Sequence, residues 1–96
     1  MDFGAFAATL DAAEPPAIAL PLRALWWDRK GDWHQAHEAA QAAKGRDGDW
    51  VHAYLHRKEG DLANAAYWYA RARKPQPTAT LDAEWEAMVR ALLANG

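Results

Sequence analysis

The residues of this sequence best suited to chemistry are four histidines, which form two pairs at helical spacing. His52 and His56 are four residues apart, whereas His34 and His37 are three residues apart. Residues at these spacings share one face of a helix, so two antiparallel neighbouring helices would bring His37 towards His52 and His56. Three neutral imidazoles, with a carboxylate beside them, are suitable ligands for zinc or another borderline metal.

The same histidines also have a purely structural interpretation. The HExxH pattern, in which a glutamate acts as the base, is absent, because Ala53 follows His52. Buried polar groups are normally satisfied within a protein, so we expect hydrogen bonds to tyrosine hydroxyls of the next helix, or to carboxylates and carbonyls near residues 45–49. We predict structural roles for His37, His52 and His56, with metal binding or metal-dependent catalysis as the alternative.

The composition argues against several other functions. The chain contains no cysteine and no serine, and its net charge is −2 with acidic and basic residues intermixed. Nucleic-acid binding usually requires a basic patch, and none is evident. No apolar run reaches the roughly 18 residues of a membrane span, and the acidic N-terminus does not resemble a signal peptide. We therefore predict a cytoplasmic protein without a cofactor.

The fold class follows from the balance between alanine and β-branched residues. The 96 residues include 24 alanines but only six β-branched side chains. Alanine is the best helix former, whereas β-branched residues are typical of sheets. We therefore predict an all-α fold that forms one domain over residues 1–96.

Prolines, glycines and aspartates divide the chain into five or six helices. Proline ends a helix before it, glycine supplies turns, and aspartate caps helix N-termini. Residues 45–48 are predicted to be a loop. The first three predicted helices are Asp2–Ala13, a second that starts between Pro16 and Pro21 and ends at Arg29–Lys30, and Trp33–Lys44, which Asp32 caps. The fourth is capped by Asp49, the fifth is capped by Asp61, and the last starts at Thr78 or Thr80.

An internal repeat organises the middle of the chain. Residues 29–43 align with residues 57–72, with one extra residue before the second glycine, so that Gly31 matches Gly60. A tight glycine turn between two apolar-striped segments is typical of antiparallel helices. The sequence therefore predicts two antiparallel helical hairpins with a flanking helix at each end. They are a weak repeat at 21–44, a strong repeat at 49–77 and a C-terminal capping helix at 80–94.

The stronger repeat resembles the tetratricopeptide repeat (TPR) and is similar to small uncharacterised bacterial proteins with a VHAYLHRKEGD-like segment. The matching positions, small, aromatic or turn-forming, are Ala53, Gly60, Asp61, Ala65, Tyr69, Ala72 and Pro77. His52 and His56 depart from the family, which usually has a large apolar residue and a tyrosine there. The repeat is also shorter than the usual 34 or so residues. The resemblance implies a module that binds a partner in a groove and has no catalytic activity.

In the TPR pattern, the last turn of each first helix faces the partner groove. The residues that the resemblance places there are cations and aromatics, namely Arg29, Trp50, Tyr54, Arg57 and Lys58. Cations in this position can bind a partner's carboxylate. The alternative is that they interact with the dipole at a helix C-terminus, where cations are expected for that reason alone.

The six tryptophans are numerous for a chain of this length. Trp26 and Trp27 are adjacent, as are Tyr67 and Trp68, so one core-facing stripe cannot accommodate all of these rings. Either the first and last helices cover them or they form an interface. We predict a protein or peptide partner, with a homodimer that buries aromatic surface from an end helix.

Overall fold

The computed structural model describes residues 1–95, and the chain is helical there. A 3-10 turn at Thr9–Asp11 follows the first helix. The helices are α1 (Phe3–Ala8), α2 (Leu20–Arg29), α3 (Trp33–Ala42), α4 (Arg46–Lys58), α5 (Leu62–Ala72) and α6 (Leu81–Asn95). These residues contain no strand, so the all-α prediction is confirmed. No helix among them has both the length and the apolar character that a membrane span needs.

The larger hydrophobic cluster joins the two ends of the chain to its middle. Helix α6 packs against α1, α2 and α4. The indole N–H of Trp85 in α6 donates to the carbonyl oxygen of Leu25 in α2, at 2.9 Å. The largest fully buried side chains of the cluster are Phe6, Leu25, Trp26, Val51, Leu55, Met88 and Val89. Helix α6 therefore lies against α2 and α4, the first helix of each predicted hairpin.

Two Gly-Asp turns connect helices with the same backbone geometry. Gly31 joins α2 to α3 and Gly60 joins α4 to α5, and both have a φ of 85°. The N–H of Asp32 donates to the carbonyl oxygen five residues earlier (3.0 Å), as does that of Asp61 (2.9 Å). Each aspartate side chain then accepts from the N–H three residues further on. The two predicted N-caps are therefore confirmed.

The start of α4 differs from the prediction, which placed a loop before an N-cap at Asp49. The helix instead begins at Arg46, and Gly45, at a φ of 90°, precedes it. Gly48 lies in the first turn against the end of α3, where a Cβ would be 2.6 Å from the carbonyl oxygen of Ala43. Because Gly48 has no side chain, the first turn of α4 can lie directly against the end of α3.

The first and third helices are shorter than predicted. Helix α1 ends at Ala8, and the 3-10 turn continues only to Asp11 instead of reaching Ala13. Helix α3 ends at Ala42, because Ala43 adopts an extended conformation with ψ at 130°. This extended residue starts the short connection that brings α4 against α3.

Candidate metal centre

Three of the four histidines converge between α3 and α4. The two helices are joined by residues 43–45 and pack against each other, so that His37 of α3 faces His52 and His56 of α4. The Nε2 atoms of His37 and His52 are 3.1 Å apart. One ring nitrogen from each of the three histidines lies within 4.8 Å of the other two. We call these three residues the histidine cluster.

The rings of the histidine cluster have a regular arrangement. His52 and His56, one helical turn apart, are nearly parallel, with centroids 4.9 Å apart and 18° between their planes. His37 is edge-on to both, at 84° to the His52 ring and 82° to the His56 ring. The edge of the His37 ring is therefore directed towards both of the other rings, and one nitrogen from each ring lies in the same small region.

The separation of the nitrogens suits a bound transition metal. A tetrahedral zinc ion with bonds of about 2.0 to 2.1 Å places its nitrogen ligands about 3.3 to 3.4 Å apart. The distance of 3.1 Å between His37 and His52 is close to this value. The third candidate nitrogen, on His56, lies within 4.8 Å of the other two.

Glu59 holds the third histidine of the cluster. Its Oε1 atom lies 2.7 Å from Nδ1 of His56, whose side chain is 13% exposed. An ionised carboxylate only accepts hydrogen bonds, so Nδ1 carries the proton and Nε2 carries the lone pair. A carboxylate bonded to the second nitrogen of a histidine is the usual outer partner of a metal-bound imidazole.

Two members of the histidine cluster, His52 and His37, favour the neutral imidazole. Burial, followed by the neighbouring His37 and His56, lowers the pKa of His52 to about 4, and Arg71 acts in the same direction. Burial and the nearby His56 also lower the pKa of His37. In the absence of a metal, one of the two facing nitrogens donates a hydrogen bond and the other accepts it.

Two indole rings flank the histidine cluster. Trp33 stacks on His37, with centroids 4.7 Å apart and 17° between the planes. Trp68 stacks on His52, at 4.1 Å and 18°. The guanidinium of Arg71 lies over the outer side of Trp68, 4.9 Å from the ring centroid. These stacked rings restrict the rotation of the two imidazoles and shield them from water.

The other histidine and the expected tyrosine partners lie elsewhere. His34 is exposed and pairs with Glu38 at 3.1 Å. The hydroxyl of Tyr69 in α5 donates to Glu84 instead of a histidine, and that of Tyr67 accepts from Arg71 at 3.3 Å. The predicted tyrosine partners of the histidines were therefore wrong, because a buried carboxylate takes the hydroxyl of Tyr69.

A buried aspartate binds two of the residues predicted to line a partner groove. Asp28 is only 4% exposed. It accepts from the hydroxyl of Tyr54 at 2.8 Å and from Nζ of Lys58 at 2.7 Å. Burial, followed by the charge of Asp28, raises the pKa of Tyr54, so its hydroxyl stays a donor. We call Asp28, Tyr54 and Lys58 the aspartate cluster.

A buried glutamate of α6 forms a matching cluster. Glu84 is 6% exposed and accepts from Nη1 of Arg57 at 2.7 Å and from the hydroxyl of Tyr69. Arg57 also donates to the carbonyl oxygen of Ala79, just before α6. We call Glu84, Arg57 and Tyr69 the glutamate cluster. Neither carboxylate was predicted from the sequence, since neither is near its partners along the chain.

The remaining predicted groove residues also contact the chain itself. Arg29 pairs with Asp82 of α6 at 3.2 Å, and its guanidinium lies 3.9 Å from the centroid of a Trp85 ring. Trp50 is half-buried, with Nζ of Lys74 4.2 Å from its ring centroid. The partner groove stays a prediction, and the residues assigned to it bind α6, Asp28 or Lys74 within this chain.

No family model, curated protein or solved structure matches this chain. The resemblance to the TPR family therefore stays a prediction. The positions of the side chains are the basis for a proposal about function, and the most specific arrangement among them is the histidine cluster.

Proposed function

We propose that the protein binds one divalent transition-metal ion through His37, His52 and His56. The observation that carries this proposal is the convergence of one nitrogen from each ring within 4.8 Å. Neutral imidazoles select zinc, copper or nickel over magnesium and calcium, which prefer oxygen ligands. The carboxylate of Glu59 orients His56 and offsets part of the charge of the ion.

The position of the ligands indicates what the ion does for the fold. His37 belongs to α3, while His52 and His56 belong to α4, so the ion cross-links the two helices. An ion that binds only the folded chain stabilises it by about 2.7 kcal/mol at a free concentration 100 times its Kd. We therefore expect metal to raise the melting temperature.

Metal analysis and thermal unfolding test the proposal together. We expect one zinc ion per chain after dialysis, and a melting temperature that falls when a chelator removes it. His37→Ala abolishes both effects because it removes one ligand. His34→Ala is the matched control, because His34 lies on the same helix, is exposed and pairs only with Glu38. Substoichiometric metal, or a wild-type melt that the chelator leaves unchanged, would overturn the proposal.

A second function, supported by a different observation, is that of a TPR-like interaction module. Its support is the shared geometry of the turns at Gly31 and Gly60, with the same φ and the same hydrogen-bond pattern. In this proposal, α2–α3 and α4–α5 are two stacked antiparallel hairpins, and α6 occupies the groove on their first helices. Arg29 and Arg57 support this role of α6, since both bind its side chains.

The partner surface of such a module then lies outside that groove. The exposed large apolar residues of α3 and α5 are Trp33 (37%), Leu62 (66%) and Tyr67 (54%). We propose a second copy of the chain as the partner, in the cytoplasm, bound by these side chains and not by an end helix as predicted, because Phe6 of α1 and Trp85 of α6 are buried. Sedimentation should then show a dimer for the wild type and a monomer for Leu62→Asp, with unchanged circular dichroism. A wild-type monomer well above micromolar concentration would contradict self-association.

A further inference from the structure

We infer that the metal ion keeps one exchangeable coordination position, which takes a small monodentate anion; this inference rests on the metal binding proposed above. The number of donors, the access to the site and the charge around it support this inference, through side chains of α3, α4, α5 and the α4–α5 turn.

The histidine cluster supplies three ligands and no more. Within residues 1–95, no further histidine, aspartate or glutamate has a ligand atom within 4.8 Å of all three imidazole nitrogens. Glu59 is the carboxylate in contact with the cluster, but it accepts a hydrogen bond from Nδ1 of His56. Together with Asp61 and His56 it forms a second group of possible ligands that does not include His37 or His52. Sites that hold zinc with three protein ligands keep the fourth position for water or substrate.

The position of the cluster lets a small ligand reach the ion. His52 is buried, but His37 and His56 are only partly buried, so the site lies at the edge of the α3–α4 interface. Trp33 covers a face of His37 and Trp68 covers a face of His52. A single open position at such a site favours a monodentate ligand.

The charge around the site favours an anion. Three neutral imidazoles leave the full double positive charge on the ion, and the adjacent Glu59 offsets only one unit. The positive charge of Arg71, which acts on His52, is offset by Asp49, whose Oδ2 lies 3.6 Å from the Arg71 Nε. Glu38 is exposed and already pairs with His34. The ion and Glu59, the carboxylate that contacts the cluster, together keep a net positive charge, which an anion of the size of hydroxide or azide offsets.

Cobalt(II) substitution followed by titration with azide tests the inference. Cobalt absorbs visible light, and its spectrum changes when a ligand is exchanged. We expect the cobalt protein to show a saturable, one-site spectral change with azide while the metal stays bound. His34→Ala should behave in the same way, and Glu59→Gln should tighten azide binding several-fold, because it removes a negative charge and keeps the hydrogen-bond acceptor.

The possible failures can be told apart. If cobalt binds in a 1:1 ratio but azide leaves its spectrum unchanged, the coordination sphere is closed and the inference is overturned, while metal binding stands. Loss of cobalt from the protein upon addition of azide also overturns it. Azide binding that Glu59→Gln leaves unchanged overturns the preference for an anion. If cobalt and zinc both fail to bind, the proposed function itself is overturned.

Discussion

The two sides of α4 carry polar groups that are satisfied in opposite ways. On one side, the aspartate and glutamate clusters each surround a buried carboxylate with one tyrosine hydroxyl and one cation. On the other side, the histidine cluster brings like groups together, with Nε2 of His37 only 3.1 Å from Nε2 of His52. The same helix therefore contributes to two sites in which a buried carboxylate is paired with a cation, and to a third site in which three imidazoles meet.

This difference separates a structural role from a binding role. In the carboxylate clusters, the chain supplies all the charge that Asp28 and Glu84 need, so nothing from outside is required. In the histidine cluster, Glu59 is the carboxylate in direct contact, with His56, while the charge of the exposed Glu38 acts on His37 from a greater distance. Without a metal, His37 and His52 share one hydrogen bond, and a cation that the sequence does not supply would accept a lone pair from each ring. The following predictions test this comparison.

We expect Glu84→Ala to have the largest effect. It leaves the buried ends of Arg57 and Tyr69 without their partner, and breaking a buried ion pair costs about 3 to 5 kcal/mol. Urea denaturation measures the loss. Glu86→Ala on the same helix is the control, because Glu86 is exposed and pairs only with Arg90, so its loss should stay within about 0.5 kcal/mol. Equal losses for the two variants would remove the distinction between the clusters.

Gly48→Ala should destabilise the protein by about 1 to 3 kcal/mol, because overpacked contacts force the backbone to shift. The new Cβ would lie 2.6 Å from the Ala43 carbonyl oxygen. The shift also moves α4 away from α3, so zinc affinity should fall together with stability. Gly4→Ala is the control, since its nearest contact is a side-chain oxygen of Asp2 at 3.6 Å. A stable Gly48→Ala variant with normal zinc affinity would contradict the close contact.

Tyr54→Phe should cost about 1.5 kcal/mol, the size expected for a hydrogen bond to a charged group. Lys58 still pairs with Asp28 in this variant, so the carboxylate keeps one partner. Chemical denaturation should show the loss, while zinc affinity stays unchanged because the hydroxyl is outside the histidine cluster. Tyr67→Phe, at an exposed position, should have no measurable effect. A change in zinc affinity in Tyr54→Phe would indicate that the two sides of α4 are coupled.

The smallest effect should come from acid in the metal-free protein. His52 has a pKa of about 4 when folded and 6.5 ordinarily, so the unfolded chain binds more protons between these values. Stability should therefore be highest above pH 6.5 and decrease as the pH falls towards 4. The groups around His52 are His37 from α3, His56 from α4, Arg71 from α5 and Glu59 beside the turn.

Urea denaturation with a chelator, compared at pH 7 and pH 6, measures this change. His52→Gln should show a smaller loss of stability between the two pH values, because the variant lacks the imidazole whose pKa is lowered by folding. His34→Ala should retain the wild-type loss, since His34 is exposed. Stability that rises as the pH falls from 7 to 6 would show that the histidines are protonated more easily in the folded chain.

Local patterns were sufficient to predict the all-α class and the two Gly-Asp turns. Gly31, Gly60 and their following aspartates mark two turns whose geometry depends on a few adjacent residues. The start of α4 could not be predicted in this way. It depends on the contact between Gly48 and the Ala43 carbonyl, which requires knowledge of how α3 and α4 pack.

The candidate site was predictable in its members but not in its geometry. Helical spacing pairs His52 with His56, and the antiparallel arrangement suggested that His37 could approach them. The distances and the role of Glu59 depend on the register between two helices, which spacing alone does not determine. The partners of Asp28 lie 26 or more residues away along the chain, and those of Glu84 lie 15 or more residues away. Spacing along the sequence therefore could not predict either cluster.

The stacking of Trp33 on His37 and of Trp68 on His52 gives the protein an internal optical reporter. Paramagnetic copper(II) quenches nearby fluorescence, and two of the six indoles lie against rings that would bind it. The other environments differ: Trp85, for example, lies beneath Arg29 and Trp50 beneath Lys74. Occupancy of the histidine cluster can therefore be followed from the emission of the unlabelled chain, and replacing Trp33 and Trp68 separately identifies the imidazole that each indole reports on.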